Sequence, residues 1–360
     1  MLKFYKFFKK ERCSVIGMVH VGALPGTPSY NGNINQIISN AIKETIIYRD
    51  CDIDGILVEN MHDNPYMRPE HLTPETTAMM TRICTEIKQV LPKNIPCGIQ
   101  ILAGCNKEAI AVAKATNFQF IRAEGFVFSH IADEGFTDAC AGSLLRYRKQ
   151  IDADDILIFA DIKKKHSSHT ITSDVSVLET AKAAKFFLAD GVILTGDATG
   201  YPANETELIE IKQNVDIPIL IGSGITTKNI KNYLSSNAVI VGSHFKINGI
   251  WKNKIDKKKV NNFIKKLRIL QNITDLQDSR EWDRCRRGTR DSARFYGPDI
   301  ALKALPTAKA APPLARTSAL APQQRLDCPA SQPASRNQLT TITAGSCYHG
   351  SSNATLFSRR

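Results

Sequence analysis

The chain has 360 residues, 42% apolar and 23% charged, ordinary proportions for a globular protein with a sizeable core. Its net charge of +12 is unevenly spread: the first 12 residues carry +4, residues 252–268 carry +7 and the last 90 carry +6, leaving −5 on the remainder. Such a distribution argues against a nucleic-acid-binding face of interleaved basic and aromatic residues, and no run of 18 apolar residues is present to form a transmembrane segment.

The opening MLKFYKFFKKERC (1–13) reads as a basic N-terminal extension. It lacks the apolar stretch and small-residue cleavage site of a secretory signal, and it is cramped for a mitochondrial presequence because a strand-like run begins by Val15. The cytoplasm is the expected location, with the mitochondrion as the alternative. Nine scattered cysteines without a CxxC pair suit free thiols in a reducing compartment and argue against zinc.

From residue 14 onwards, short β-branched runs alternate with amphipathic stretches. Strands are expected at 14–20 (SVIGMVH), 55–60 (GILVEN), 96–102 (PCGIQIL), 118–124 (FQFIRAE), 156–162 (ILIFADI), 190–195 (DGVILT), 217–222 (IPILIG) and 238–243 (AVIVGS). Helical patterns lie between them, including 34–50, 73–91 and 173–189, with Thr73 and Ser173 placed to cap the last two. Eight strand–helix units over 14–268 predict an α/β fold, a (β/α)8 TIM barrel. An open doubly wound sheet is disfavoured because no GxGxxG follows the first strand. Composition changes near residue 270: arginine replaces lysine as the main cation, Val and Met vanish, and prolines punctuate Ala/Ser/Thr-rich stretches. Residues 269–360 are expected to be a disordered low-complexity tail.

In such a barrel the chemistry gathers at the C-terminal strand ends and the loops that follow. Those positions hold His20, Glu59, Arg122 with Glu124, Asp161 with Lys163, and Thr195 with Asp197. Any one of them alone is ordinary loop polarity, but several titratable groups in one ring tune one another's pKa values. Glu59, Glu124, Asp161, Lys163 and His20 are therefore the catalytic candidates, with Asp63, Arg122, Lys165, His166 and Thr195 lining the same mouth. Alternation along the fifth strand puts Ile158, Ala160 and Ile162 under the helices and Phe159, Asp161 and Lys163 towards the axis. Lys164 would then turn away, with Lys165 and His166 on the rim. Lys163 could bind an anion or, if desolvated, act as a base or Schiff-base amine; an Asp161–Lys163 pair that merely fills the barrel top is the plainer alternative.

The last two strands run into IGSGIT (221–226) and VGSHFKINGIW (241–251). Loops after strands seven and eight make the phosphate sites of these barrels, so Gly222, Ser223, Gly224, Gly242 and Ser243 are placed to bind phosphate; the alternative is that they are turn residues. Glu59 and Asp63 offer oxygen ligands suited to Mg²⁺, but no spacing fixes a geometry, and no other cofactor is implied.

The stretches IGMVHVGALPGTP, ILVENMHDNPY, FIRAEGFVFSHIADEG, LLRYRKQI, DIKKKHS, LTGDATG, and LIGSG paired with VGSHFKINGIW together resemble the BtpA family, its animal members most of all. The resemblance spans nearly all of 14–267 and implies a ribulose-phosphate-binding-like barrel; the cyanobacterial member is linked to photosystem I biogenesis. Where bacterial members carry an Asn-Asp pair after the third strand, this chain reads ILAGCNKEA, with Asn106 as a stand-in. Two functions follow as expectations. One is an enzyme, an isomerase, lyase or hydrolase, on a small phosphorylated ligand (a sugar phosphate or nucleotide-derived compound). The other is a non-catalytic assembly or stability factor. Neither needs a nucleic-acid partner, and a homo-oligomer is compatible with both.

Overall fold

The expected strand–helix alternation closes into a barrel. A computed structural model describes residues 1–8, 12–196 and 198–274, and Asp197 and the tail from 275 onwards lie outside the described residues. The chain runs α1 (Leu2–Phe8), β1 (Ser14–His20), α2 (Ile34–Asp50), β2 (Gly55–Glu59), α3 (Pro74–Gln89), β3 (Cys97–Gln100), α4 (Asn106–Thr116) and β4 (Phe120–Ala123). It continues β5 (His130–Ala132), β6 (Gly135–Thr137), α5 (Ala141–Gln150), β7 (Leu157–Ile162), β8 (Ser167–Ser168), α6 (Val177–Phe186), β9 (Gly191–Leu194), α7 (Glu205–Asn214), β10 (Ile219–Ile221) and β11 (Ala238–Val241). Eight of these strands form the closed parallel barrel in the order β1-β2-β3-β4-β7-β9-β10-β11, with β11 pairing back onto β1. The loops after β4 and β7 carry a small antiparallel sheet, β6-β5-β8.

Local chemistry accounts for several element boundaries. The Asn33 side chain caps α2 by accepting from the Gln36 N–H at 3.0 Å. Asn117 ends α4 with φ 55°, the left-handed conformation that asparagine tolerates. The sixth helix starts later than its pattern suggests. Ser176, not Ser173, is its cap, because residues 170–172 form a 3-10 turn and Ser173 terminates that turn. Thr73 sits at the cap position of α3, but its hydroxyl turns to the Glu75 carboxylate instead of capping the backbone. Between β10 and β11 the chain makes only a 3-10 turn, Ile230–Tyr233, in place of a full helix. Residues 257–274 are helical and run past 268, where the low-complexity tail was expected to begin.

Period-two alternation divides the apolar residues into two cores. One lies between barrel and helices. The other fills the barrel axis and includes Ile16, Met18, Leu57, Phe120, Leu157 and Phe159. Helix α1 supplies the base of this inner column. Its Phe4 and Phe8 are 1% and 4% exposed, stack on each other with centroids 4.5 Å apart, and meet Phe159 and Phe120 at 6.0 and 5.9 Å. Tyr5 and Lys3 tie the same helix to Asn237 and Asp190, which precede β11 and β9, so α1 closes the N-terminal end of the barrel. Truncating such a buried ring removes its transfer free energy and leaves a cavity. Phe4→Ala should therefore lower stability by about 3–5 kcal/mol in urea denaturation, a large effect for a residue so near the chain's start.

Candidate active site

The alternation that stacks apolar side chains along the axis continues one step further and turns polar. His20 follows Met18, Glu59 follows Leu57, Arg122 follows Phe120, Asp161 follows Phe159, and Gly222 and Gly242 follow Leu220 and Ile240. A cavity of about 470 Å³ opens above this layer at the C-terminal strand ends, with His20, Glu59, Gln100, Arg122, Glu124 and Lys165 among its lining residues. Its size is that of a small-molecule site.

Arg122 and Asp161 anchor the ring. The guanidinium Nε lies 3.1 and 3.0 Å from the two carboxylate oxygens, and a second guanidinium nitrogen lies 3.0 Å from one of them, with both side chains buried. Glycine at 222 makes room for this arrangement: a Cβ there would stand 2.6 Å from Ile193 and 3.4 Å from the guanidinium. Burial works against the charge of Arg122, but the carboxylates of Asp161 and then Glu59 hold its pKa above the usual value. Glu124 is also occupied, accepting from the Gly104 N–H at 3.1 Å and lying 3.5 Å from the Lys164 ammonium. Asn106 clasps the same residue through the backbone, donating to the Glu124 carbonyl at 2.6 Å and accepting from its N–H at 3.3 Å.

Glu59 differs from the other two carboxylates. Its contact within ion-pair range is the His20 ring, with Nε2 3.8 Å from Oε2, and its pKa is raised, by burial first, against the pull of Arg122 and Lys165. Lys165 is shifted the opposite way, lowered by burial and then by Arg122. His20 is held down to about 3 by burial and then by Lys246, so it is a neutral imidazole at ordinary pH. A carboxyl biased towards its acid form and an amine biased towards its free base thus line one cavity, an arrangement suited to moving protons.

The closing seam of the barrel forms the other wall. Gly222, Ser223, Gly224, Gly242 and Ser243 all line the cavity, and Gly224 adopts φ +68° against the Tyr201 backbone, where a side chain would not fit. The Ser223 hydroxyl is already engaged, accepting from Gly196 N–H at 2.7 Å and donating to Tyr201 O at 3.0 Å. The Gly222 N–H is likewise given to Leu194. The N–H groups of Ser223, Gly224 and Ser243 donate to no group among the described residues.

Several sequence expectations move. Lys163 does not face the mouth: its φ of 47° breaks the strand alternation, and its ammonium donates to the Thr172 carbonyl and hydroxyl at 2.7 and 3.2 Å. Lys164, expected to turn away, is buried against Glu124, while Lys165 and the exposed His166 line the cavity. The Thr195 hydroxyl is buried and has no partner among the described residues. Asp63 braces the loop after β1, accepting from Leu24 N–H, Thr27 and Asn60, so its oxygens are committed away from an ion shared with Glu59. Among the described residues no group of three or more His, Cys, Asp or Glu is arranged to hold a metal. Sequence reasoning passed over Gln100, 2% exposed with Oε1 unpaired; an amide on an otherwise apolar inward face was the available signal. It also missed Tyr66 and Trp251, aromatic lining that comes from irregular loops with no period to reveal it.

The BtpA family model matches residues 11–268. An uncharacterised mitochondrial protein of Caenorhabditis elegans is 48% identical over 269 residues, covering 74% of this chain and 97% of that protein. The photosystem I biogenesis protein BtpA of Synechocystis is 33% identical over 253 residues, covering 69% and 86%. Among solved structures, thiamine phosphate pyrophosphorylase from Pyrococcus furiosus superposes with a TM-score of 0.45 at 13% identity, covering 71% of this chain and 96% of that one. Phosphoribosyl anthranilate isomerase from Thermus thermophilus gives 0.45 at 10% identity, covering 71% and 99%.

Two measurements test the electrostatics of the ring. Arg122→Met leaves the Asp161 carboxylate buried and unpaired and should cost about 3–5 kcal/mol, whereas Arg122→Met with Asp161→Leu should cost less than the sum of the single changes in a denaturation cycle. The second concerns His20, whose unfolded-state pKa near 6.5 exceeds its folded value of about 3. Between those values the unfolded chain binds the extra proton, so stability falls as pH drops, by up to about 1.4 kcal/mol per pH unit. His20→Gln should flatten the stability profile by that slope across the same window, and an unchanged profile would contradict a buried neutral imidazole.

Proposed function

Because this chain belongs to the BtpA family, we propose a reading that fits both that framework and its own cavity: an enzyme that binds a small phosphorylated metabolite and moves protons on it. The observation that carries this reading is that two kinds of group line one cavity. N–H groups of Ser223, Gly224 and Ser243 that donate to no group among the described residues line it at the seam, and Glu59 and Lys165 line it from the ends of β2 and β7. Backbone N–H groups bind a phosphate without bringing a lysine into the site, which leaves the titratable groups available for chemistry. Glu59 is the proton carrier in this reading. Lys165 takes the place in the cavity that alternation had given to Lys163, and neutral His20 lies beside Glu59. Arg122, Asp161 and Glu124 hold the ring's geometry. The substrate class is a sugar phosphate or a nucleotide-derived phosphate, and isomerisation, carbon–carbon cleavage and hydrolysis are all within the reach of this set.

A second reading, a non-catalytic assembly or stability factor, draws on the name of the Synechocystis relative. The name of the nematode relative supports the mitochondrial alternative for location. Among the described residues no helix is long and apolar enough to cross a membrane.

Thermal shift against a panel of phosphate monoesters separates the two functional readings. A cognate ester at a hundred times its Kd should add about 2.7 kcal/mol of apparent stability. Ser243→Asp, which sets a carboxylate at the seam, should abolish that rise while changing the unliganded stability by about 0.5 kcal/mol or less. No response to any ester would overturn the enzyme reading in favour of the assembly factor.

A further inference from the structure

The three consecutive lysines after β7 have three different surroundings. Lys163 is hydrogen-bonded to Thr172, and Lys164 is buried beside Glu124. Lys165 lines the main cavity, and its Nζ makes no hydrogen bond or ion pair among the described residues. The carboxylates that might have neutralised it are engaged elsewhere: Asp161 is clasped by Arg122, and Glu124 by Lys164 and the Gly104 N–H. Arg122 faces the same cavity and adds like charge.

We propose that Lys165 is a nucleophilic amine that captures the carbonyl of a phosphorylated aldehyde or ketone as a Schiff base, with Glu59 as the proton donor. The phosphate part of this substrate class rests on the reading given above; the amine part rests on the surroundings of Lys165. Burial and Arg122 favour the free-base form of Lys165, which is the form that attacks, and burial favours the protonated form of Glu59. The Lys165 nitrogen lone pair forms a C–N bond to the carbonyl carbon as the C=O π bond breaks, and the oxygen takes the amine's proton to give a neutral carbinolamine. Glu59 then gives its proton to the departing hydroxyl, which leaves as water while the nitrogen lone pair closes the C=N bond. The products are an iminium and the Glu59 carboxylate, so the site passes from a neutral acid and amine to a compensated pair of opposite charges. The buried Gln100 amide, its Oε1 unpaired in the same cavity, is placed to accept a hydrogen bond from a neighbouring substrate hydroxyl.

Borohydride trapping on the full chain tests this. The protein is incubated with dihydroxyacetone phosphate or, separately, with dihydroxyacetone, reduced, digested and mapped by mass spectrometry. The phosphorylated probe should leave its reduced adduct on Lys165 in excess of every exposed lysine, since a depressed pKa gives more free amine at a given pH. Lys165→Arg should lose that adduct, and Glu59→Gln should slow its formation by at least about tenfold. The wild-type map decides the matter even if a variant folds poorly: adducts spread over exposed lysines, or none on Lys165, overturn the proposal. A rise in melting temperature with dihydroxyacetone phosphate but no Lys165 adduct overturns the amine while leaving the phosphate reading intact. Equal labelling of Lys165 by both probes supports the amine and counts against the phosphate reading.

Discussion

Arg122 lies on top of an apolar column, and the polar part of the barrel is organised by the need to compensate its charge there. An unpaired guanidinium in that position would carry a desolvation penalty of several kcal/mol. Asp161 meets it through both oxygens, Glu59 contributes at longer range, and Gly222 keeps Ile193 and the guanidinium free of a side chain from β10. This compensation has a consequence for its neighbours. With Asp161 claimed by Arg122 and Glu124 claimed by Lys164 and the Gly104 N–H, the ring contains more cations than directly paired carboxylates. Among the described residues Lys165 is left without a direct partner, and Glu59 has only the His20 ring at 3.8 Å. The reactivity attributed to the cavity is thus an outcome of how its structural ion pairs are allocated.

The two ends of the barrel divide the work of folding and chemistry. The base is a stack of aromatic rings, Phe4, Phe8, Phe120 and Phe159, whose burial is purely stabilising. The top carries orphaned polar atoms, including Gln100 Oε1, Thr195 Oγ1 and Glu134 Oε2, and several residues at positive φ. Buried polar atoms without partners lower stability and are tolerated where a fold has stability elsewhere to offset them. The small β5-β6-β8 sheet sits at this less stable end, and the turn between β5 and β6 carries Asp133 and Glu134 to the cavity.

Most of the framework was legible because two periods were strong. The period of two along β-branched runs located all eight barrel strands, and its continuation placed Phe159 and Asp161 on the inner face. The same rule failed at Lys163, where the strand had ended and φ turned positive, since alternation holds only while the backbone stays extended. Ser173 misled as a cap because a 3-10 turn intervened, and Phe4 and Phe8 were hidden inside a segment whose charge drew more notice than its aromatic rings. At the seam, the glycines were readable from their spacing. That the Ser223 hydroxyl is engaged by Gly196 and Tyr201 was not, because those partners come from a separate loop. Pairings among Arg122, Asp161, Glu124 and the lysines depend on distances between strands that no local pattern encodes.

The position of α1 also bears on the order of events during synthesis. Phe4 and Phe8 precede Ile193, Leu220 and Ala238 in the chain but share one inner core with them, so their seat stays incomplete over the interval until the last barrel strand has been translated. At translation rates of about 5–20 residues per second, that interval is on the order of ten seconds or more. Once the barrel closes, those rings are inside. Recognition of this segment by its aromatic face would therefore require an open barrel, because closure takes the rings out of reach.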